Sequence, residues 1–167
     1  ALKVIVNIRS PGGLLDEALK IYDYLHWLSE LPDIVVETRC FGYTASCGTI
    51  IAQSASPNMR GISEHSLYLI HCCTCDIETG NYIGLGKQRD ILMLRDEHIS
   101  KIYAKHSRGI LDEKAVIESM EENEGEGYWQ EPSEVISHGL ADFIIKAESC
   151  DIPDNHRKRG LFYRIRK

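Results

Sequence analysis

The feature that most constrains this chain is a strand, a glycine turn, a helix and a second strand compressed between Leu2 and Thr38. Leu2 to Ile8 alternates apolar and polar residues, the period-two pattern of a strand. Ser10-Pro11-Gly12-Gly13 ends it with a strong turn signal. From Leu14 to about Glu30, Leu15, Ala18, Leu19, Tyr22, Leu25 and Leu28 recur at helical spacing. Pro32-Asp33 breaks the helix, and Ile34 to Thr38 is β-branched and strand-like. Two strands joined through a helix form a βαβ unit, which dictates a parallel pair with a right-handed crossover.

A second unit follows. Phe41 to Ala45 reads as a loop, Ser46 to about Ala55 as a short helix rich in small residues, and Asn58–Ile62 and Ser66–His71 as strands. Beyond a looser stretch with Gly80, Gly84 and Gly86, a long helix is expected from Lys87 to His106. Leu92, Ile99, Ile102 and Tyr103 mark its apolar face, and Arg89, Asp90, Arg95, Asp96 and Lys101 its wet ones. Asp112–Met120 and Pro132–His138 read as further helices, with Gly139 a stop signal, and Phe143–Ile145 as a last strand. The expected class is α/β.

At 167 residues the chain is expected to hold one domain, residues 1–150, and a basic tail, 151–167. The tail carries six Lys and Arg residues and no acid after His156; it reads as a solvated terminus, or as a contact for an acidic partner. A formal net charge of -6 argues against nucleic acid as a partner. No apolar run approaches the roughly 18 residues that span a bilayer, and Lys3 interrupts any leader pattern. A cytoplasmic protein without membrane contact is the expectation. Of six cysteines, Cys72, Cys73 and Cys75 cluster without the second pair that zinc templates require. They read as thiols of a reducing compartment, with no metal and no cofactor expected.

Three features bear on chemistry, and each has a plain structural reading beside the functional one. Ser46 stands where a loop turns into a helix, flanked by Ala45, Cys47 and Gly48. It is either an ordinary N-cap or a nucleophile next to unpaired helix N–H groups. His71 ends an apolar strand, as a satisfied histidine or as a base titrating near neutral pH. Gly12-Gly13 is a tight turn, or backbone left bare for a ligand to approach.

The order of the motifs separates these readings. Asn7 to Gly13 with Ala18 to Asp23 resembles the S-P-G-G and I-Y-D segments of the ClpP family of serine peptidases. Gly42-Tyr43-Thr44-Ala45-Ser46-Cys47-Gly48 resembles its nucleophile segment, and Ser66 to His71 the strand carrying its catalytic histidine. Tyr103 to Ser107 and Gly139-Leu140-Ala141-Asp142 resemble two later motifs, so the resemblance runs from Val4 to Ile145. It implies a crotonase-like fold of repeated βαβ units with a protruding handle helix. It also implies Ser46 as nucleophile, His71 as general base, and an oxyanion hole from the N–H groups of Gly13 and Cys47. Stacked homo-oligomeric rings, polypeptide substrates and an ATP-driven AAA+ unfoldase are implied as assembly and partners.

The sequence departs from the family in three ways. The family's catalytic aspartate precedes an aromatic pair; here Gly127 precedes Tyr128-Trp129, and a one-residue slip offers Glu126 instead. The family's first strand, first helix and axial loop are not found before Ala1. About four residues are inserted around His26 to Pro32. Such divergence fits a phage or prophage relative. It keeps open a catalytically impaired ring subunit and, more remotely, an acyl-CoA enzyme of the crotonase superfamily or a Ser–Lys signal-peptide-peptidase relative.

Overall fold

The computed structural model describes residues 2–76 and 80–146; the basic tail lies outside them. The first βαβ unit forms as expected. β1 (Leu2–Ser10), α1 (Leu15–Ser29) and β2 (Ile34–Ala45) follow in order, and β1 pairs parallel to β2 from Leu2↔Ile34 to Ile8↔Cys40. The residues inserted around His26 form the last turn of α1 and the bend after it.

β2 does not stop at Thr38. It runs on through the segment expected to be a loop, and the cause is a bulge. Ile8 pairs with Cys40 but Ser10 pairs with Thr44, so two steps on β1 face four on β2. Gly42 sits inside this irregularity at φ 67, a left-handed conformation that glycine adopts without a Cβ penalty. Past the bulge, Tyr43–Ala45 pairs with β4 (Leu67–Ile70), whereas the earlier Thr38–Cys40 pairs with β3 (Arg60–Ser63). One long strand thereby carries two parallel arms on the same side.

The β3 arm ends in β6 (Phe143–Ile145), parallel to it; the β4 arm ends in β5 (Tyr128–Gln130), antiparallel. β5 is not among the strands expected from the sequence. The result is a curled six-stranded sheet with helices against it, the α/β class expected. Ile8, Tyr22, Ile50, Ile62, Tyr68 and Ile70 form the centre of its core.

α2 (Cys47–Ala52) follows β2 after a single residue, Ser46. α3 (Tyr82–His106) begins five residues before the expected start. The Asn81 side chain accepts from the N–H groups of Ile83 and Gly84, and this cap offsets the roughly 1 kcal/mol that each helical glycine costs. At 25 residues α3 is about 37 Å long. Ile99, Ser100 and Tyr103 are its only buried residues, all near the C-terminal end. The rest stands away from the core as the expected handle.

α4 (Glu113–Glu121) is capped by Asp112, whose carboxylate accepts from Ala115 N–H at 2.8 Å. α5 (Pro132–Ser137) starts on a reciprocal capping box between Glu131 and Glu134. Among the described residues no helix is long and apolar enough to cross a membrane.

Two of the late motifs turn out to be braces. Asp142 takes three hydrogen bonds from Arg60, at 2.9, 3.1 and 2.7 Å, tying the end of the chain's core to β3. Arg60 also donates to Gln53 at 2.6 Å, and Gln53 donates onward to Tyr68 and to the Leu140 carbonyl. His106 Nε2 meets the Tyr22 hydroxyl at 2.7 Å and so joins the end of α3 to α1.

Candidate active site

The bulge in β2 decides where Ser46 goes. By shifting the strand's last residues onto β4, it sets Ser46 beside the end of that strand, and Ser46 N–H donates to the Leu69 carbonyl at 2.9 Å. Two residues past Leu69 comes His71. Strand β4 therefore leads directly into the histidine while its backbone holds the serine.

Ser46 itself is bent hard. At φ 53 and ψ -128 it occupies a region that residues with a Cβ rarely enter, at a cost on the order of 1–3 kcal/mol. Its side chain makes no capping bond to α2, so the plain N-cap reading fails. Strained strand-to-helix turns of this kind lift a hydroxyl clear of the backbone. The strain is held from behind. Thr49 N–H and Thr49 Oγ1 both donate to the Ser46 carbonyl, at 2.9 and 2.6 Å. Because the Thr49 hydroxyl proton is spent there, Tyr103 donates to Thr49 Oγ1 across the buried 2.6 Å contact.

Gly12 completes the turn. A Cβ on it would lie 2.5 Å from Ser46 Cβ and 2.9 Å from Oγ, and its φ is 112. No other residue type fits without moving the serine. Gly13 is different, since a Cβ there would meet nothing within 4 Å; its backbone borders open space. Cys47 Sγ donates to the Gly13 carbonyl at 3.1 Å, which locks the glycine turn to the start of α2.

Ser46, Cys47, Gly13 and His71 line one cavity of about 130 Å³. The four residues singled out from the sequence are thus brought together. Apolar walls come from Leu14, Leu15, Ile50 and Ile99, with Tyr103 behind them. His71 Nδ1 is buried without a hydrogen-bond partner, which leaves Nε2 as the ring nitrogen able to serve the cavity.

No carboxylate reaches that Nδ1 among the described residues. Gly127 lies against His71, but at φ 67, and a Cβ on it would stand 2.1 Å from the Ile70 carbonyl oxygen. The backbone at this position has no room for an aspartate. Glu126, the alternative from a one-residue slip, is exposed at the end of the 3-10 turn Glu122–Gly125, and no hydrogen bond joins it to His71. The turn is held instead by one backbone and one side-chain hydrogen bond: Cys72 N–H to the Gly125 carbonyl at 3.1 Å and Asn123 Nδ2 to the Gly127 carbonyl at 2.6 Å.

Thr49 and Tyr103 escape sequence reading as parts of the site, and Gly12 is recognised there only as half of the glycine turn. A hydroxyl three residues after a candidate nucleophile was the one available signal, since that spacing lets it reach back to a backbone carbonyl. Tyr103 looked like one more core residue.

The profile of the Clp protease family matches residues 2–148. The chain belongs to the Clp protease family. It is 26% identical to the ATP-dependent Clp protease proteolytic subunit of Streptococcus mutans over 144 residues, which is 86% of this chain and 68% of that protein. Clp protease membership implies a peptidase and supports serine-type chemistry. It also accounts for the order in which the serine, histidine and glycine segments occur.

Proposed function

We propose that this chain is a serine endopeptidase that cuts polypeptides through an acyl-enzyme on Ser46, with His71 as general base. The observation that carries the reading is the shared cavity: a strained, uncapped serine hydroxyl and a histidine ring line it together. Ser46 Oγ attacks the scissile carbonyl while His71 Nε2 takes its proton. The oxyanion is held by the N–H groups of Gly13 and Cys47, the second lying at the first position of α2, where helical geometry supplies no acceptor. The intermediate collapses with the proton passed to the leaving amine, and water, deprotonated by His71, then hydrolyses the ester.

This is a dyad. In a full triad the third member fixes the histidine tautomer and steadies its charge, and losing it slows the reaction without abolishing it. Here the Gly127 backbone lies beside Ile70 and the His71 Cβ, and His71 Nδ1 has no hydrogen-bond partner.

A second copy of the chain is the proposed partner of the handle. Tyr82, Ile83, Ile91, Met93 and Leu94 are large apolar side chains more than half exposed on α3. A patch of that kind is characteristic of an interface, and stacked rings meeting through α3 would cover it. Delivery of substrate by an AAA+ unfoldase, in the cytoplasm, completes the proposal.

The unpartnered His71 Nδ1 favours one competing reading, a catalytically impaired ring subunit. A fluorophosphonate probe separates the two. Labelling of the purified chain, lost in Ser46→Ala and strongly slowed in His71→Ala, is expected of the peptidase. Full labelling of Ser46→Ala would remove that residue from the mechanism, and no labelling of the unaltered chain would favour the impaired subunit.

A further inference from the structure

The cavity beside Ser46 has a fixed positive charge in its wall. Apart from the titratable His71 and the cysteines, its lining consists of apolar and uncharged polar residues together with Arg95. Arg95 lies on α3 one turn before Ile99, and residues four apart share a helix face. The guanidinium therefore stands on the same face as the apolar wall that Ile99 supplies. Its charge acts on the Cys73 thiol, opposing the upward push from burial and from Asp96. Arg95 is thus close to the chain segment that leaves His71.

Little holds Arg95 elsewhere. Asp16 is 3.8 Å away, at the outer limit of an ion pair, with the two side chains 73% and 42% exposed for Asp16 and Arg95 respectively. A pair of that kind contributes almost nothing. The neighbouring Asp96 is committed to Cys73 N–H at 2.7 Å. The cavity thus combines an apolar slot, fit for methylene groups, with a cation at its edge that lacks a strong partner.

We propose that Arg95 makes this cavity select peptides with a glutamate side chain at the residue whose carbonyl is attacked. The inference rests on Ser46 being the nucleophile. The glutamate methylenes would lie along Leu15 and Ile99, and the carboxylate would meet the guanidinium in the two-pronged geometry that arginine offers. An uncharged side chain of equal length gains only the first contact.

The test uses peptidyl diphenyl phosphonates that differ only in the side chain at that residue: glutamate, glutamine or lysine. Labelling rates on Ser46 are read as ratios within each variant, so overall changes in reactivity cancel. The unaltered chain is expected to react about fivefold faster with the glutamate probe than with the glutamine probe, the size of a half-exposed charge pair. That ratio should fall toward unity in Arg95→Gln and in high salt, and Arg95→Glu should turn the preference toward lysine. Equal glutamate and glutamine rates in the unaltered chain, or a preference that survives Arg95→Gln, would overturn the proposal while a simple fluorophosphonate still labels Ser46. Failure of every probe, the simple one included, would instead bring down the nucleophile assignment and this inference with it.

Discussion

Ser46 donates its backbone N–H to the Leu69 carbonyl at 2.9 Å, and so the turn bearing the hydroxyl and the strand bearing His71 move as one piece. Three elements contribute to that arrangement. The Gly42 bulge aims the end of β2, Thr49 clamps the Ser46 carbonyl, and Gly12 leaves the space into which the serine bends.

The glycine is the most sensitive of the three. In Gly12→Ala the new Cβ would stand 2.5 Å from Ser46 Cβ, and φ 112 is hostile to alanine as well. Displacement of a reacting atom by an ångström costs about a hundredfold in rate. Fluorophosphonate labelling of Gly12→Ala should therefore fall by about that factor, with circular dichroism showing the fold retained. Labelling within twofold of the unaltered chain would show that the turn adjusts without moving the hydroxyl.

Restoring the missing carboxylate at its aligned position should fail. Gly127→Asp places a Cβ 2.1 Å from the Ile70 oxygen and demands φ 67 of a residue with a side chain. The β4 end that carries His71 would have to shift. We expect Gly127→Asp and Gly127→Ala alike to lose about 2 kcal/mol or more of stability, from backbone strain and displaced packing, and to label more slowly than the unaltered chain. Urea denaturation measures the first and probe labelling the second. An aspartate variant that labels faster would mean that the turn from Glu122 to Gly127 can refold into a triad.

How far the sequence exposed this arrangement follows from the range of the interactions. The first βαβ unit was legible because its signals are local: alternation in β1, helical spacing in α1, β-branching in β2. The site was legible only through the order of several short motifs, since Ser46 alone looks like a cap. Gly42 reads as a loop residue although it makes a bulge, because a positive φ looks the same in both until pairing on either side is known. Arg95 reads as part of the wet face of α3, and its place in the cavity depends on the segment after His71 folding back toward the helix. Gly127 reads as a missing aspartate; that the backbone there also excludes one comes only from its contact with Ile70.

The brace at Asp142 yields a prediction about stability alone. Its side chain and that of Arg60 are nearly fully buried, and it accepts from Arg108 as well, at 2.5 Å. Asp142→Ala would strand the Arg60 charge inside the protein, and breaking a buried pair from one side costs about 3–5 kcal/mol. Replacing both partners, as in Arg60→Met with Asp142→Leu, removes the charge along with its counter-ion and should recover much of that loss. Denaturant midpoints of the single and double variants test this. A double variant as unstable as Asp142→Ala would mean that Gln53, left without Arg60, matters more than the ion pair.

Acid should loosen the junction of α1 and α3 through His106. Burial lowers its pKa from 6.5 to about 4, with Arg60, Lys105 and His26 pushing the same way and Asp142 opposing them. The folded state therefore holds His106 neutral, accepting from the Tyr22 hydroxyl at 2.7 Å, whereas the unfolded chain binds a proton near its ordinary value. A depressed folded pKa gives a contribution that is complete above pH 6.5 and is lost as pH falls through about 4. His26 shifts in the same direction, chiefly by burial and next by Lys105, so the two histidines act together. Melting temperatures measured from pH 7 to pH 4 should fall for the unaltered chain. They should fall less for His106→Gln, whose amide can still meet Tyr22 but cannot be protonated in that range. Parallel profiles would assign the acid sensitivity to carboxylates elsewhere and leave His106 a purely structural contact.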